Sequence, residues 1–420
     1  MEGSVLFDVQ SNNTEETQTM STSILYHAFG LKGIEYRATR FFADTLIFSA
    51  EMKKQTFRCP HCNCKRTIFK GQKRRWFQMG PIGRKKCLLD LVVHRVQCCE
   101  CSTLWWPTLP FMIGTHRFVR SFALTVLDML KFGTIRSVAE FLGVGWDLVK
   151  NIHKERLQFL YRKIPLHKVK LIGIDEFSFR EGYHYMTVVT DLDTGRVLHA
   201  VEGKSKEDIR PFLESLARRG KKLKAVAMDM SSAYFWAVRE TLPHVKVVFD
   251  RFHVISLMNQ AIDELRRDHQ AELDSLGQQT LKGSRFLLLS NYDSLEPDRK
   301  ARLDALLSVN RPLFEIHAMK EQLRLFWEKA DRKEAEQFLA VWCRDAMNSG
   351  IKALKKVGKT LGGYRTGLLN YFDHRITSGA VEGLINKIKT LKRQAYGFRD
   401  TEYFKLRLYH LHIQRYSLAG

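Results

Sequence analysis

Acidic side chains are scarce in this 420-residue chain: 45 Asp and Glu stand against 68 Lys and Arg, a formal charge of +23. That deficit argues against an acidic protein with a cationic partner. It points instead to a polyanion, either nucleic acid or an acidic membrane surface. A basic enzyme with no polyanionic partner is the alternative. Long apolar runs are missing too: none approaches the ~18 residues of a membrane-spanning helix, so a membrane-embedded protein is not expected. The start, Met1-Glu2-Gly3-Ser4, has no basic segment leading into an apolar core, and no secretory signal is evident. Cysteine is nearly absent outside one stretch, with seven of eight between Cys59 and Cys101. In a chain without export signals, such clustering reads as reduced thiols that ligate metal rather than as disulfides. Internal repeats are lacking, and the one biased stretch is a polar tail over 8–22, expected to be flexible.

What is present suits a multidomain α/β protein. A hydrophobic share of 45% is that of an ordinary globular chain. At roughly 100–200 residues per domain, the length allows two to four domains. Apolar alternation between Gly30 and Phe57, as in Tyr36-Arg37-Ala38-Thr39-Arg40-Phe41, suggests strands. Residues 115–163 read as helical. Strands are expected at 169–175, 223–229 and 245–250, with a hairpin near 184–202 and a helix at 207–219. From 254 to about 368 the composition is helical and charged.

Cys59-Pro60-His61-Cys62 and Cys98-Cys99-Glu100-Cys101 form two Cys-x-x-Cys knuckles. Two thiolates at this spacing chelate one edge of a tetrahedron, and two pairs complete a closed zinc site of four thiolates. The 35-residue spacer between the knuckles accommodates a β-ribbon. Cys64, Cys87 and Cys99 leave the choice of ligands partly open, and a redox pair is the alternative. Between Lys53 and Cys101 there are 13 Lys or Arg and two acids, Asp90 and Glu100. Lys73, Arg74 and Arg75 run into Trp76-Phe77, joining positive charge to aromatic faces suited to phosphate contact.

Residues 134–150 spell a helix, a glycine-bearing turn and a second helix. Ile135, Val138, Ala139 and Leu142 form one apolar face, against which Val144, Leu148 and Val149 can pack. This is the layout of a helix-turn-helix, with 146–156 as the reading helix and Lys150, His153 and Lys154 as contacts. An ordinary helical hairpin is the alternative.

Asp175 closes the apolar run Leu171-Ile172-Gly173-Ile174, and Asp229 closes a second run, Ala225-Val226-Ala227-Met228. Glu382 lies downstream on an amphipathic helix, sharing a face with Asn386, Lys389 and Arg393, the two cations being expected to contact the flanking DNA phosphates, while Leu384, Ile388, Leu391 and Ala395 form another face. Strand-end acids are held rigidly yet stay open at the sheet rim, so with a helix acid they can hold Mg2+ for phosphodiester chemistry. Asp191, Asp193, Asp250 and Asp373 are also available for such a site.

Taken together, these residues resemble the bacterial insertion-sequence transposases of the ISL-three type, members of the DDE class with an RNase H-like core. The resemblance runs from about residue 55 to 410. It includes the knuckles, the helix-turn-helix, Ile174-Asp175-Glu176, Met228-Asp229-Met230-Ser231 and Asp250-Arg251-Phe252-His253-Val254. It continues through Thr377-Ser378-Gly379-Ala380-Val381-Glu382-Gly383 and Lys392-Arg393-Gln394-Ala395-Tyr396-Gly397-Phe398-Arg399. The extra cysteines, Cys64 and Cys99, are its departures.

The resemblance implies that Asp175, Asp229 and Glu382 are the catalytic and Mg2+- or Mn2+-binding triad, with Asp250 and His253 positioning the DNA end. It also implies a cytoplasmic, nucleoid-associated protein that acts as a homodimer or higher assembly on double-stranded DNA, at element ends and target. The expected layout is an N-terminal tail and short strands (1–52), a zinc-binding module (53–108) and a helix-turn-helix region (109–164). The RNase H-like core follows (165–254), interrupted by a helical insertion (255–370) and resumed with its acidic helix (371–420).

Overall fold

Strict alternation in Thr45–Met52 buries Leu46, Phe48, Ala50 and Met52 and leaves the residues between them partly exposed, the signature of a strand with one face on a core. The structure is a computed structural model and describes residues 24–53, 57–180, 182, 184–272, 282–377 and 379–412. The tail over 8–22 and Ser378 lie outside the described residues. The chain divides into two compact units, with the boundary between Lys163 and Ile164.

In the first unit a short helix, α1 (Ile24–His27), precedes β1 (Ile34–Phe42), β2 (Thr45–Met52), β3 (Thr67–Ile82), β4 (Lys85–Cys98) and β5 (Leu104–Trp105). These strands form one sheet in the order β1-β2-β4-β3, with β5 beside β4. The ribbon expected between the knuckles is the β3–β4 pair, antiparallel from Thr67↔Cys98 to Ile82↔Lys85. Three helices follow: α2 (Arg120–Met129), α3 (Ile135–Leu142) and α4 (Trp146–Tyr161). Their buried residues Phe122, Val126, Val138, Leu142 and Val149 share one core with Phe77, Met79, Leu89 and Leu91 of the ribbon.

Thr134 starts α3 with a capping box, its side chain accepting from Ser137 N while Ser137 answers at the Thr134 backbone, which satisfies two otherwise orphaned donors. Gly143 ends α3 at φ 58° with the Lys86 side chain close above it. A Cβ there would bring left-handed strain, while the flexible end of Lys86 could move aside.

The second unit is built on a mixed sheet in the order β10-β9-β6-β7-β8. Its strands are β6 (Leu171–Arg180), β7 (His184–Asp191), β8 (Val197–Glu202), β9 (Ala225–Met228) and β10 (Lys246–Phe249), with α5 (Lys206–Arg219) and α6 (Ser232–Thr241) between them. β10, β9 and β6 run parallel, whereas β6, β7 and β8 form an antiparallel meander. After β10 the chain is helical: α7 (Arg251–Glu272), α8 (Arg285–Leu289), α9 (Pro297–Ser308), α10 (Arg311–Arg324), α11 (Arg332–Asn348), α12 (Lys352–Gly363), α13 (Arg365–Leu369) and α14 (Tyr371–His374). Two last helices, α15 (Gly379–Gln394) and α16 (Thr401–His410), complete the described chain.

One face of this sheet, carrying Ile172, Ile174, Val226, Met228, Val247 and Phe249, shares a core with α5, α6 and the helices after β10. The other face takes α15 and α16 through Val381, Leu384, Ile388 and Phe404, with Ile376 over Ala225, Ala227 and Val248. Among the described residues, no helix is long and apolar enough to cross a membrane.

Candidate active site and metal centre

Strand register sets the carboxylates. β6 pairs with β9 up to Gly173↔Ala227; carried two residues on, this brings Asp175 level with Asp229. β9 pairs with β10 up to Met228↔Phe249, so the next residues, Asp229 and Asp250, are level too, and Asp250 N donates to Met228 O at 2.9 Å. Side chains alternate along a strand. Asp175 therefore falls on the face of Gly173 and Phe177, and Asp229 and Asp250 on that of Ala227 and Val248. This is the face covered by α15 and Ile376.

Glu382 is exposed on the first turn of α15. Its neighbour Val381 is wholly buried against β6: a Cβ built on Gly173 would lie 2.3 Å from Val381 Cγ2. Only glycine at 173 lets α15 approach the strand that carries Asp175 this closely. The helix of the third acid thus lies on the face, and against the strand, of the first. Among the described residues, the one set of three or more potential ligands whose atoms all lie within 4.8 Å is the cysteine quartet.

Burial raises the proton affinity of the acids. Asp175 is pushed up to about 6, chiefly by desolvation, with Glu176 and Asp229 adding repulsion while the Glu176 backbone N–H and His253 pull it down. Its Oδ1 accepts that N–H at 2.8 Å. Asp229 is raised by burial as well, although its Oδ1 accepts from Ser231 N at 3.1 Å. His253 faces Asp229 and Asp175, and its pKa is raised, first by the hydrogen bond to Asp250 and then by those acids. His253 Nδ1 stands 3.2 Å from Asp250 Oδ2. A pocket of desolvated carboxylates with their charge incompletely offset, all hard oxygen donors, fits a divalent cation of the Mg2+ class.

Sequence reasoning left out Glu176. It lies on the opposite face of β6, raised by burial and by Asp229 and hydrogen-bonded by Tyr234, and its Oε2 has no partner among the described residues. Tyr234 also shares a 2.8 Å hydrogen bond with Thr187. The adjacent acids in Asp175-Glu176 were the available signal.

In the first unit the knuckles close on each other. Cys59 Sγ lies 3.5 Å from Cys101 Sγ, and Cys62 Sγ lies 3.5 Å from Cys98 Sγ. A tetrahedron with metal–sulfur bonds of ~2.3 Å has edges near ~3.8 Å, so the quartet fits. The two halves repeat one another. Cys59 N donates to Cys64 O and Cys98 N to Thr103 O, while Asn63 and Ser102 both take positive φ. Cys64 therefore stands where the second knuckle has Thr103, outside the quartet, and its sulfur accepts from Arg66 N. Thr103 draws Cys101 down to about 5 through its hydroxyl and backbone.

The expected DNA contacts differ in their surroundings. Lys73 stacks over Trp106 at 3.8 Å. Arg74 pairs with Asp90 at 2.9 Å, and Arg75 lies over Phe77 and donates to His116 O. Lys150 and Lys154 are half-buried on α4, with Lys150 over the Trp146 ring. His153, expected as a contact, is instead 6% exposed, because its position turns toward the core between Ile152 and Leu157. Lys389 and Arg393 are exposed on α15.

Known proteins match this chain in both its core and its wider length. A protein-family profile of the ISL-three DDE class, described as "Transposase", matches residues 172–408, a span that includes Asp175, Asp229, Asp250 and Glu382. The transposase for insertion sequence element IS1001 of Bordetella parapertussis is 33% identical over 332 residues, covering 78% of this chain and 82% of that one. The transposase for insertion sequence element IS1557 of Mycobacterium tuberculosis is 26% identical over 292 residues, 63% of this chain and 65% of that one. Among solved structures, the Drosophila P element transposase strand transfer complex aligns with TM-score 0.39 and 11% identity, over 71% of this chain and 92% of that chain.

Proposed function

This chain belongs to the insertion-sequence transposases of the ISL-three type, and from that membership we propose that it cuts phosphodiesters at the ends of its element and joins the freed 3′-hydroxyls to target DNA. The observation that carries the reading is the register that sets Asp175, Asp229 and Asp250 level on three adjacent parallel strands, beneath the helix bearing Glu382.

In this reading residues 165–254 and 371–420 are an RNase H-like core, and 255–370 are a helical insertion. Asp175, Asp229 and Glu382 would hold Mg2+ or Mn2+. When bound, the metal supplies Lewis-acid activation of the attacking oxygen and neutralisation of charge on the phosphoryl oxygens. Burial keeps the Asp175 and Asp229 carboxylates poorly solvated, which strengthens their hold on a cation. Asp250 fixes the His253 ring so that it faces these acids, and this pair orients the DNA end. The first turn of α15 presents Glu382, and later turns present Lys389 and Arg393 to flanking phosphates, so positioning and electrostatics carry the catalysis.

The remaining parts recognise DNA. α3 and α4 act as a helix-turn-helix, with α4 in the major groove of the terminal repeat, where Lys150 and Lys154 meet the backbone. Cys59, Cys62, Cys98 and Cys101 hold a structural Zn2+ that fixes the ribbon carrying Lys73, Arg74 and Arg75. Two ends must be joined, so the working form is a dimer or larger assembly on double-stranded DNA.

Nicking and strand transfer on an end-bearing duplex, with and without Mg2+, test the reading. Asp175→Ala, Asp229→Ala and Glu382→Gln should each abolish both products while retaining DNA binding. Full activity in any one of them removes that residue from the triad. Nicks with no joined product would mark a nuclease instead.

A further inference from the structure

In the first unit an exposed aromatic tip stands close to the turn between α3 and α4. Phe41 and Phe42 close β1 and are each 74% exposed. Large apolar side chains open to water are ordinarily scattered singly over a surface, whereas these two are consecutive and sit at a hairpin tip. Phe41 pairs with Leu46 and Phe42 with Thr45 across the turn. Successive side chains of a strand leave on opposite faces, so the two rings flank the strand's end rather than cover one another.

The tip is braced by the neighbouring hairpin. Lys86 N donates to Asp44 O at 2.9 Å, and Lys85 Nζ donates to Ala43 O at 3.2 Å. A turn held this way loses little further freedom when it binds. Phe42, Thr45 and Lys86 share one row across β1, β2 and β4, which sets Phe42 and Lys86 two strand spacings, roughly 10 Å, apart. Arg84, Lys85 and Lys86 are all exposed, three cations against the one acid of the two turns, Asp44. The Lys86 side chain in turn lies over Gly143, in the turn joining α3 to α4. The rings thus adjoin the cations, and the cations adjoin the turn of the helix pair.

Two kinds of occupant suit an exposed apolar tip. Charge argues against a second copy of this chain, because a self-complementary contact would bring the three cations of one copy toward those of the other. A DNA duplex meets both features: its phosphates take the cations, and its stacked bases admit apolar side chains that wedge between them. We propose that Phe41 and Phe42 insert between base pairs next to the stretch that α4 occupies, unstack one step and kink the duplex there. Arg84, Lys85 and Lys86 hold the phosphates beside the kink. Such a wedge selects for a deformable step rather than for base edges. The proposal rests on the DNA-binding reading of the first unit given above.

The test uses the full chain without Mg2+ and two forms of an end-bearing duplex. One carries 2-aminopurine, whose emission rises when a base loses its stack, at each position in turn; the other carries a fluorophore pair at its two ends. Binding should brighten one step and shorten the end-to-end distance. Phe41→Ala/Phe42→Ala should lose both signals and bind at most roughly tenfold more weakly, the loss of one base–aromatic stack. Phe41→Leu/Phe42→Leu should keep the bend, since aliphatic wedges insert as well. Both rings are exposed, so these variants should keep the parent's urea midpoint. A duplex bound with no brightened step, or a bend that survives in the double alanine variant, overturns the wedge and leaves the transposase reading standing. A duplex that does not bind at all overturns both. A dimer of the parent in sedimentation that the double alanine variant loses, with the bend unchanged, gives the tip to a second copy instead.

Discussion

Val381 meets Gly173 so closely that a Cβ at position 173 would fall 2.3 Å from its Cγ2. This contact, beside the packing of Leu384, Ile385 and Ile388 on the same face, holds the helix of Glu382 close to the strand of Asp175. Gly173→Ala should push α15 outward, at a cost of about 1–3 kcal/mol for overpacking. Misplacing a catalytic group by an ångström lowers rate by about 10²-fold, so nicking should fall far more than stability. The double variant Gly173→Ala/Val381→Ala should recover much of the nicking. A double variant as slow as Gly173→Ala alone would show that this contact does not place Glu382.

Much of this arrangement is legible in the sequence because it is local. Asp229 directly after β9 follows from an apolar run that stops there, the quartet follows from Cys-x-x-Cys spacing, and the exposed cations of α15 follow from helical periodicity. Asp175, expected at a strand end, instead lies within β6, which runs on to Arg180 because β7 continues to pair with it beyond the reach of β9. What escapes such reading is non-local. That Asp250 lies level with Asp229 depends on the parallel pairing of β9 with β10, which no single segment encodes. Glu176 gains its environment from Tyr234, on a helix that the pattern around 232–241 does not disclose. The parallel pairing of β2 with β4, which joins the hairpin before the knuckles to the ribbon between them, leaves no local trace either. A histidine between Lys150 and Lys154 reads as surface, yet the position of His153 faces the core.

The repeated hydrogen bonding of the two knuckles separates ligands from bystanders. Metal analysis of the purified chain should find one zinc per molecule, lost in Cys59→Ser and Cys101→Ser. Cys64→Ser should keep it, because Cys64 occupies the place of Thr103 and its sulfur accepts a backbone N–H. Cys99, exposed beside the quartet, should be equally dispensable. Zinc loss in Cys64→Ser would overturn this ligand assignment.

Two histidines should make the second unit sensitive to acid. His199, stacked on Phe212 at 4.6 Å, and His317 are each held down to about 4, mainly by burial. The unfolded chain takes up these protons first, near the ordinary value of 6.5. Stability is therefore full above about 6.5 and falls as pH drops toward 4, by up to about 1.4 kcal/mol per pH unit for each histidine. Asp175, raised to about 6, works in the opposite direction together with Asp229, Glu176 and His253, which are raised too, since each takes up its proton in the folded chain before the unfolded one. Urea denaturation of the parent and of His199→Phe at pH 7 and pH 5, without added Mg2+, isolates the His199 contribution, and on acidification the variant should lose less stability than the parent. An unchanged slope in that variant would mean that His199 is not protonated on unfolding.

In the proposed metal centre Asp250 competes with Glu382 for the role of third ligand, and the geometry gives each an advantage. Asp250 is level with Asp229 and 5% exposed, but its Oδ2 is already engaged by His253 at 3.2 Å. Glu382 is exposed on a helix whose approach Gly173 permits. A carboxylate committed to an imidazole has less capacity left for a cation. Mn2+ titration followed by electron paramagnetic resonance, on DNA-bound protein, should therefore show weakened binding in Glu382→Gln and near-normal binding in Asp250→Asn. Asp250→Asn should instead lose cleavage-site precision, through a His253 ring no longer held toward the acids. Were Asp250→Asn to lose Mn2+ and Glu382→Gln to keep it, the metal centre would consist of the three aspartates on β6 and at the ends of β9 and β10, and α15 would serve only to cover it.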